Sequence, residues 1–163
     1  MDYVFWFLVQ LGIASILLLF STAATWYEGS AILNDPWEWK HSTPFSQLFY
    51  DEVQSSNQIS QLDHFIYAAK FLPTFPVIMV ISSIYLLILI GYHFFRRRHK
   101  WFAYYLSFLG GGLFLLSYFI YNSPTTGGKI FFYIWLLSGV CCAVAAIISY
   151  FQTLDRNTNE VIN

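Results

Sequence analysis

Residues 71–121 read FLPTFPVIMVISSIYLLILIGYHFFRRRHKWFAYYLSFLGGGLFLLSYFIY, two apolar runs joined by the basic stretch RRRHK at 96–100. Neither Phe71–Phe95 nor Trp101–Tyr121 contains an Asp, Glu, Lys or Arg. Each matches the roughly 20 residues that a helix needs to cross the hydrocarbon core of a bilayer. Tyr3–Thr25 and Ile130–Phe151 are equally free of charge. One such run could be a buried core helix of a soluble protein, but four in 163 residues leave too little polar surface to cover them. Composition agrees: 57% of residues are hydrophobic, 21% aromatic and 10% charged, against about 25% charged in soluble domains. The expected fold is an all-α membrane protein, a single domain over 1–163. It is a four-transmembrane-helix bundle with spans at about 3–25, 71–95, 101–121 and 130–151, and a partly helical extracytoplasmic loop, 26–70, between the first two.

The first span does not read as a cleaved signal. No Lys or Arg precedes Lys40, and the apolar run is too long, although Ser21, Ala23 and Ala24 resemble a cleavage site. Charge then sets the orientation. Arg96, Arg97, Arg98 and Lys100 are four of the eight Lys and Arg, whereas 26–70 sets Lys40 and Lys70 against Glu28, Asp35, Glu38, Asp51, Glu52 and Asp63, a net −4. Basic short loops stay inside, so both termini are expected in the cytoplasm and the loop outside, in a plasma membrane. The same four basic residues are candidate contacts for lipid headgroups, each contributing about 1 kcal/mol at an anionic leaflet.

Within the loop, Asn34-Asp35-Pro36 marks a short helix start, since Pro is tolerated at the first helical position. Thr43-Pro44 repeats the signal and predicts a helix from about Pro44 to Val53. Beyond Ser55-Ser56-Asn57 the pattern is helical from Gln58. Ile59, Leu62, Ile66 and Ala69 form one apolar stripe, expected to face inward against the membrane surface or the bundle, with Gln61, Asp63 and His64 turned away. Pro73 and Pro76 are expected to kink the start of the second span. Asp35, Glu38, Asp51 and Glu52 should point to water. Trp26, Trp37 and Trp39 suit interfacial depth and are the candidate partner-binding residues.

In the last two spans, Ser107 with Gly111, Gly139 with Ala143 and Cys142 with Ala146 are small-xxx-small pairs. They predict a close contact around Gly111 and Ala143. Adjacent Cys141 and Cys142 point in different directions and read as packing residues, so no disulfide framework is expected. Gln10 reads as a polar contact between helices.

The chemistry that is missing narrows the function. No span carries a carboxylate for ion coupling. Paired reactive cysteines, a membrane Ser–His couple and two haem ligands at matching depth are also lacking. Asp35, Glu38 and His41 at three-residue spacing, joined by Asp63 and His64, could ligate a divalent metal, but that spacing is as common on a solvated face. No metal, cofactor or catalytic residue is assigned, and nothing suggests nucleic acid.

The phrase TWYEGSAILNDPWEWKHSTPFSQLF (25–49), followed by SQLDHFIYAAKF (60–71), resembles the YjdJ-like small membrane proteins of Gram-positive bacteria, a family of unknown function. The resemblance covers the first span, the loop and the second span. It implies a bacterial plasma membrane and brings no catalytic residues. The function expected is that of a non-enzymatic binding or accessory protein, acting through its aromatic outer loop on a membrane or envelope protein. The alternative is an oligomeric transporter or channel for a neutral or lipophilic solute; a loop metalloenzyme ranks third.

Overall fold

The computed structural model describes the backbone of residues 2–96 and 98–162 and the side chains of 3–96 and 98–152; Arg97, one of the candidate headgroup contacts, lies outside them. Helix α1, Asp2–Gly29, leads through 3-10 turns at Ser30–Asn34 and Pro36–Glu38 into the one-turn helix α2, Trp39–Ser42. Further 3-10 turns at Ser46–Leu48 and Ser56–Gln58 precede α3, Gln61–Phe71. Then come α4, Thr74–Phe95, α5, His99–Ile120, and α6, Thr126–Ile162. Among the described residues every regular element is helical. Four helices are long and apolar enough to cross a membrane, and only 11–28% of each apolar stretch is buried. Their side chains therefore need an apolar surrounding that the chain itself does not supply.

The long helices associate as two pairs. α1 lies along α4, and α5 lies along α6 in the most extensive contact of the molecule; α4 touches α5 more lightly. The shared core is Leu106 and Leu113 from α5, Cys142 and Ala146 from α6 and Ile84 from α4. Tyr105 bridges the two pairs, its hydroxyl donating to the Leu87 carbonyl at 2.9 Å. Small residues do set the α5–α6 approach, but one position from where the small-xxx-small pattern puts it. A β-carbon at Gly110 would lie 3.2 Å from the Gly139 carbonyl oxygen and 3.3 Å from Cys142 Cβ, whereas one at Gly111 would meet nothing within 4 Å. Gly111 and Ser107 instead line an outward groove of about 390 Å³. The pattern identifies small residues at four-residue spacing, but rotation about the helix axis decides which of three consecutive glycines meets the neighbour.

Two other expectations need correction. Pro73 does not kink the second span: α3 ends at Phe71, Pro73 sits at the N-cap of α4, and its carbonyl accepts the Val77 amide at 2.9 Å. Pro76, in the first turn, has no helical hydrogen bond to lose. The helix expected over Pro44–Val53 shrinks to the turn at Ser46–Leu48. Helix α6 continues through the polar C-terminal residues to Ile162.

The residues between α1 and α4 form a cap over one end of the bundle. Helix α3 packs against α1, α4 and the start of α6. A β-carbon at Gly29 would fall 1.9 Å from the His64 carbonyl oxygen, and one at Gly127 would fall 1.9 Å from that of Ala69. So α3 is clamped backbone to backbone at both ends, and it ties the α1/α4 pair to the α5/α6 pair.

Candidate functional site

The cap owes its order to polar side chains that hold backbone. Asp63, in the first turn of α3, is completely buried. Its Oδ1 accepts the Phe45 amide at 2.9 Å, and its Oδ2 accepts the Ser46 amide at 2.9 Å and the Ser46 hydroxyl. The Ser46 hydroxyl in turn accepts the Ser60 amide at 2.7 Å. The Phe45 and Ser46 amides are first-turn donors without a partner inside their own segment, and the carboxylate satisfies both from outside it.

The other end of α3 holds the loop as well. Lys70 Nζ donates to the His41 carbonyl at 2.5 Å and to the Ser42 hydroxyl at 2.9 Å, and that hydroxyl donates to Glu38 at 2.7 Å. Burial pushes the Lys70 ammonium below the ordinary lysine value, and the Glu38 charge pulls it back up. Tyr67 donates to Asp35 at 3.3 Å, and its phenol is raised by burial first and then by the Asp35 charge.

The buried face of α3 is thus Asp63, His64 and Ala68, not the apolar stripe. Leu62 is half exposed and Ile66 partly so, while Ile59, which precedes the helix, is buried. Hydrophobicity orients a helix when apolar burial contributes most to its packing; here three hydrogen bonds to a charged carboxylate turn it the other way. Of the acidic residues expected to face water, Asp51 and Glu52 do so, and Asp35 and Glu38 are half-buried and bonded. Among the described residues no three of His, Cys, Asp and Glu gather as metal ligands.

The three candidate tryptophans occupy different settings. Trp26 donates to Gln61 Oε1 at 2.5 Å, and its ring lies 6.0 Å from that of His64. Trp39 donates to the carbonyl of fully buried Ile32 at 2.8 Å. Trp37 is 90% exposed. Two of the three are structural anchors, and one is presented outward. Leu48 and Phe49, on the turn held by Asp63, are also exposed. At the opposite end of the molecule Arg96 and Arg98 are exposed beside His93, and Lys100 is exposed in the first turn of α5.

Sequence reasoning misses His64 as a structural residue because its position off the apolar stripe reads as solvated. It is 2% exposed, and neither ring nitrogen has a hydrogen-bond partner. Desolvation holds its imidazole below the ordinary histidine value, against weaker opposing pulls from the Trp26 backbone and the Asp63 charge. Below about pH 6.5 the unfolded chain takes a proton that the folded cap resists. The stability from neutral His64 is therefore present above that pH and lost as pH falls. Exchange of the 61–71 amides, corrected for the intrinsic pH dependence, should show more frequent opening at pH 5.5 than at 7.5, and His64→Gln should flatten the difference. Equal opening at both pH values in the unaltered chain would refute the assignment.

Comparison with known proteins matches this same part of the molecule. A family described as Domain of unknown function (DUF4306) matches residues 8–95, which is α1, the cap and α4. The chain belongs to the DUF4306 family. "Uncharacterized protein YjdJ" of Bacillus subtilis (strain 168) is 43% identical over 81 residues, covering 48% of this chain and 74% of that protein. No solved structure matches. The family region contains Asp63, Lys70, Gly29 and all three candidate tryptophans and stops at the basic turn; α5 and α6 lie beyond it.

Proposed function

We propose that this DUF4306 chain is a multi-pass plasma membrane protein without enzymatic activity, whose cap binds a membrane or envelope protein outside the cell. Membrane insertion is supported by the four long apolar helices and by the placement of aromatic belts. Exposed Trp6 and Trp26 stand about 20 residues apart on α1, or about 30 Å at the helical rise, the thickness of the hydrocarbon core. Arg96, which follows α4 directly, and the acidic cap lie at opposite ends of that helix, which supports cytoplasmic termini.

Trp37 carries the binding reading. Its indole is 90% exposed on backbone that Asp63, Lys70 and Trp39 hold in place. An aromatic side chain held outward on an ordered surface loses little entropy on binding, the property of an interface anchor. Trp26 and Trp39 serve the reading by holding the cap's shape.

A photo-crosslinking residue at position 37 is expected to give one adduct of defined mass in native membranes, and the same residue at the exposed position of Asn57 none. Adducts to lipid alone at position 37 would make Trp37 a membrane anchor and sink the reading. The rival, an oligomeric passage for a neutral or lipophilic solute, has one observation on its side. Gln10 is exposed in the groove between α1 and α4, beside Ser82 and Tyr85, where a second copy could satisfy its amide. A chain that stays monomeric and passes no solute in liposomes removes that rival.

A further inference from the structure

The geometry points to a binding site for the phosphate of an anionic phospholipid headgroup at the end of the bundle opposite the cap, formed by His93, Arg96 and Arg98 on a support of α1 side chains. The inference rests on the membrane reading and is independent of the cap's partner. His93, Phe94, Arg96 and Arg98 line one concavity of about 460 Å³. Two of these residues are held in place from α1. The His93 ring stacks on Phe7 with centroids 4.2 Å apart and lies nearly parallel to the Tyr3 ring at 6.4 Å. The Arg96 guanidinium carbon sits 3.8 Å from the centroid of the Tyr3 ring. A guanidinium lying on an aromatic face keeps its N–H edge free and its plane fixed, and a planar fork of donors suits the oxygens of a phosphate.

Among the described residues, the side chains of Arg96 and Arg98 make no hydrogen bond or ion pair, and every described carboxylate lies in residues 28–63, at the cap end. The ligand's apolar part is accommodated too. Phe94 is 76% exposed in the same concavity, and Trp101, at the start of α5, is 56% exposed. Both suit the boundary between acyl chains and headgroups. A soluble phosphate ester would make no use of an apolar wall at that depth, whereas a lipid phosphate arrives with its chains already beside it.

The full chain in detergent, offered equal phosphatidylglycerol and phosphatidylcholine, can be read by native mass spectrometry. Phosphatidylglycerol should be retained at least fivefold over phosphatidylcholine. Arg96→Gln combined with Arg98→Gln should abolish the preference. Tyr3→Leu, which removes only the support beneath Arg96, should reduce it about threefold, the scale of one exposed cation–π contact. Lys100→Gln removes a neighbouring charge outside the concavity and should lower the preference far less than the arginine pair does. A loss with Lys100→Gln equal to that of the arginine pair would show general attraction to basic charge and overturn the site. Displacement of the lipid by millimolar glycerol phosphate would overturn the lipid as its ligand. Arg98→Lys, which keeps the charge, retains part of the preference if the variants fold; a loss as complete as with Gln, in a chain of unchanged helicity and melting temperature, would also count against the site.

Discussion

Asp63→Ala is expected to release the cap while leaving the four long helices formed. The substitution removes the acceptor for two backbone amides and one hydroxyl in a fully buried setting. Each buried amide left without a partner costs about 1–3 kcal/mol, so the loss should reach about 2–5 kcal/mol unless water enters the gap. Hydrogen exchange in residues 44–50 and 60–71 should accelerate by two orders of magnitude or more, and helicity by circular dichroism should change little. Asp63→Asn keeps one carbonyl oxygen but turns an amide N–H₂ toward a donor, and it should fall between the two. Cap exchange in Asp63→Ala as slow as in the unaltered chain would show that the carboxylate is not the pin. Such a release would also expose whether the outward position of Trp37 depends on the cap's order, because the crosslink proposed at position 37 should then broaden or disappear.

Gly29→Ala is the second large effect, and Gly12→Ala on the same helix is its control. The new methyl at position 29 would sit 1.9 Å from the His64 carbonyl oxygen, with the carbonyl carbon at 2.5 Å; at position 12 nothing lies within 4 Å. The obstacle at Gly29 is backbone inside α3, so no side-chain rotation relieves it, and the two helices must separate. Overpacking of this kind costs about 1–3 kcal/mol. Gly12→Ala should instead add about 0.5–1 kcal/mol by favouring helix. The melting temperature in detergent should therefore move in opposite directions for the two variants. Separation of α3 from α1 should also break the bond from Trp26 to Gln61 and shift the tryptophan emission. Two variants with the same small upward shift would mean that α3 does not rest on α1 at Gly29.

The α3 clamp places these effects in the architecture. The α1/α4 pair and the α5/α6 pair meet mainly through the α4–α5 contact, and at the cap end the connection is α3, seated on Gly29 at one end and Gly127 at the other. Gly127 belongs to the hairpin beyond the DUF4306 region, so this chain's cap is fastened to a part of the molecule that the family match does not include.

Four helices of membrane-crossing length were legible in the sequence because the signal is additive. Twenty apolar residues without a charge give a helix of that length and character whatever their order, and four such helices are present. The short helical start at Pro36 was legible for a local reason, since Pro presets the backbone there. The cap's interior was not. Sequence periodicity ranks faces by hydrophobicity, and on α3 that ranking favoured Leu62 and Ile66 over Asp63 and His64. What reversed it was the arrival of Phe45 and Ser46, eighteen and seventeen residues upstream of Asp63, with two amides that need an acceptor. The choice of Gly110 over Gly111, and of Trp37 over Trp26 and Trp39 as the outward tryptophan, followed the same rule. The sequence by itself determined how many long apolar helices there are and which residues are small, aromatic or charged, because those properties belong to single segments. Only the tertiary structure decided which face of α3 is buried and which donors remain free, because a hydrogen bond or a close backbone approach belongs to two segments at once and depends on where both come to rest.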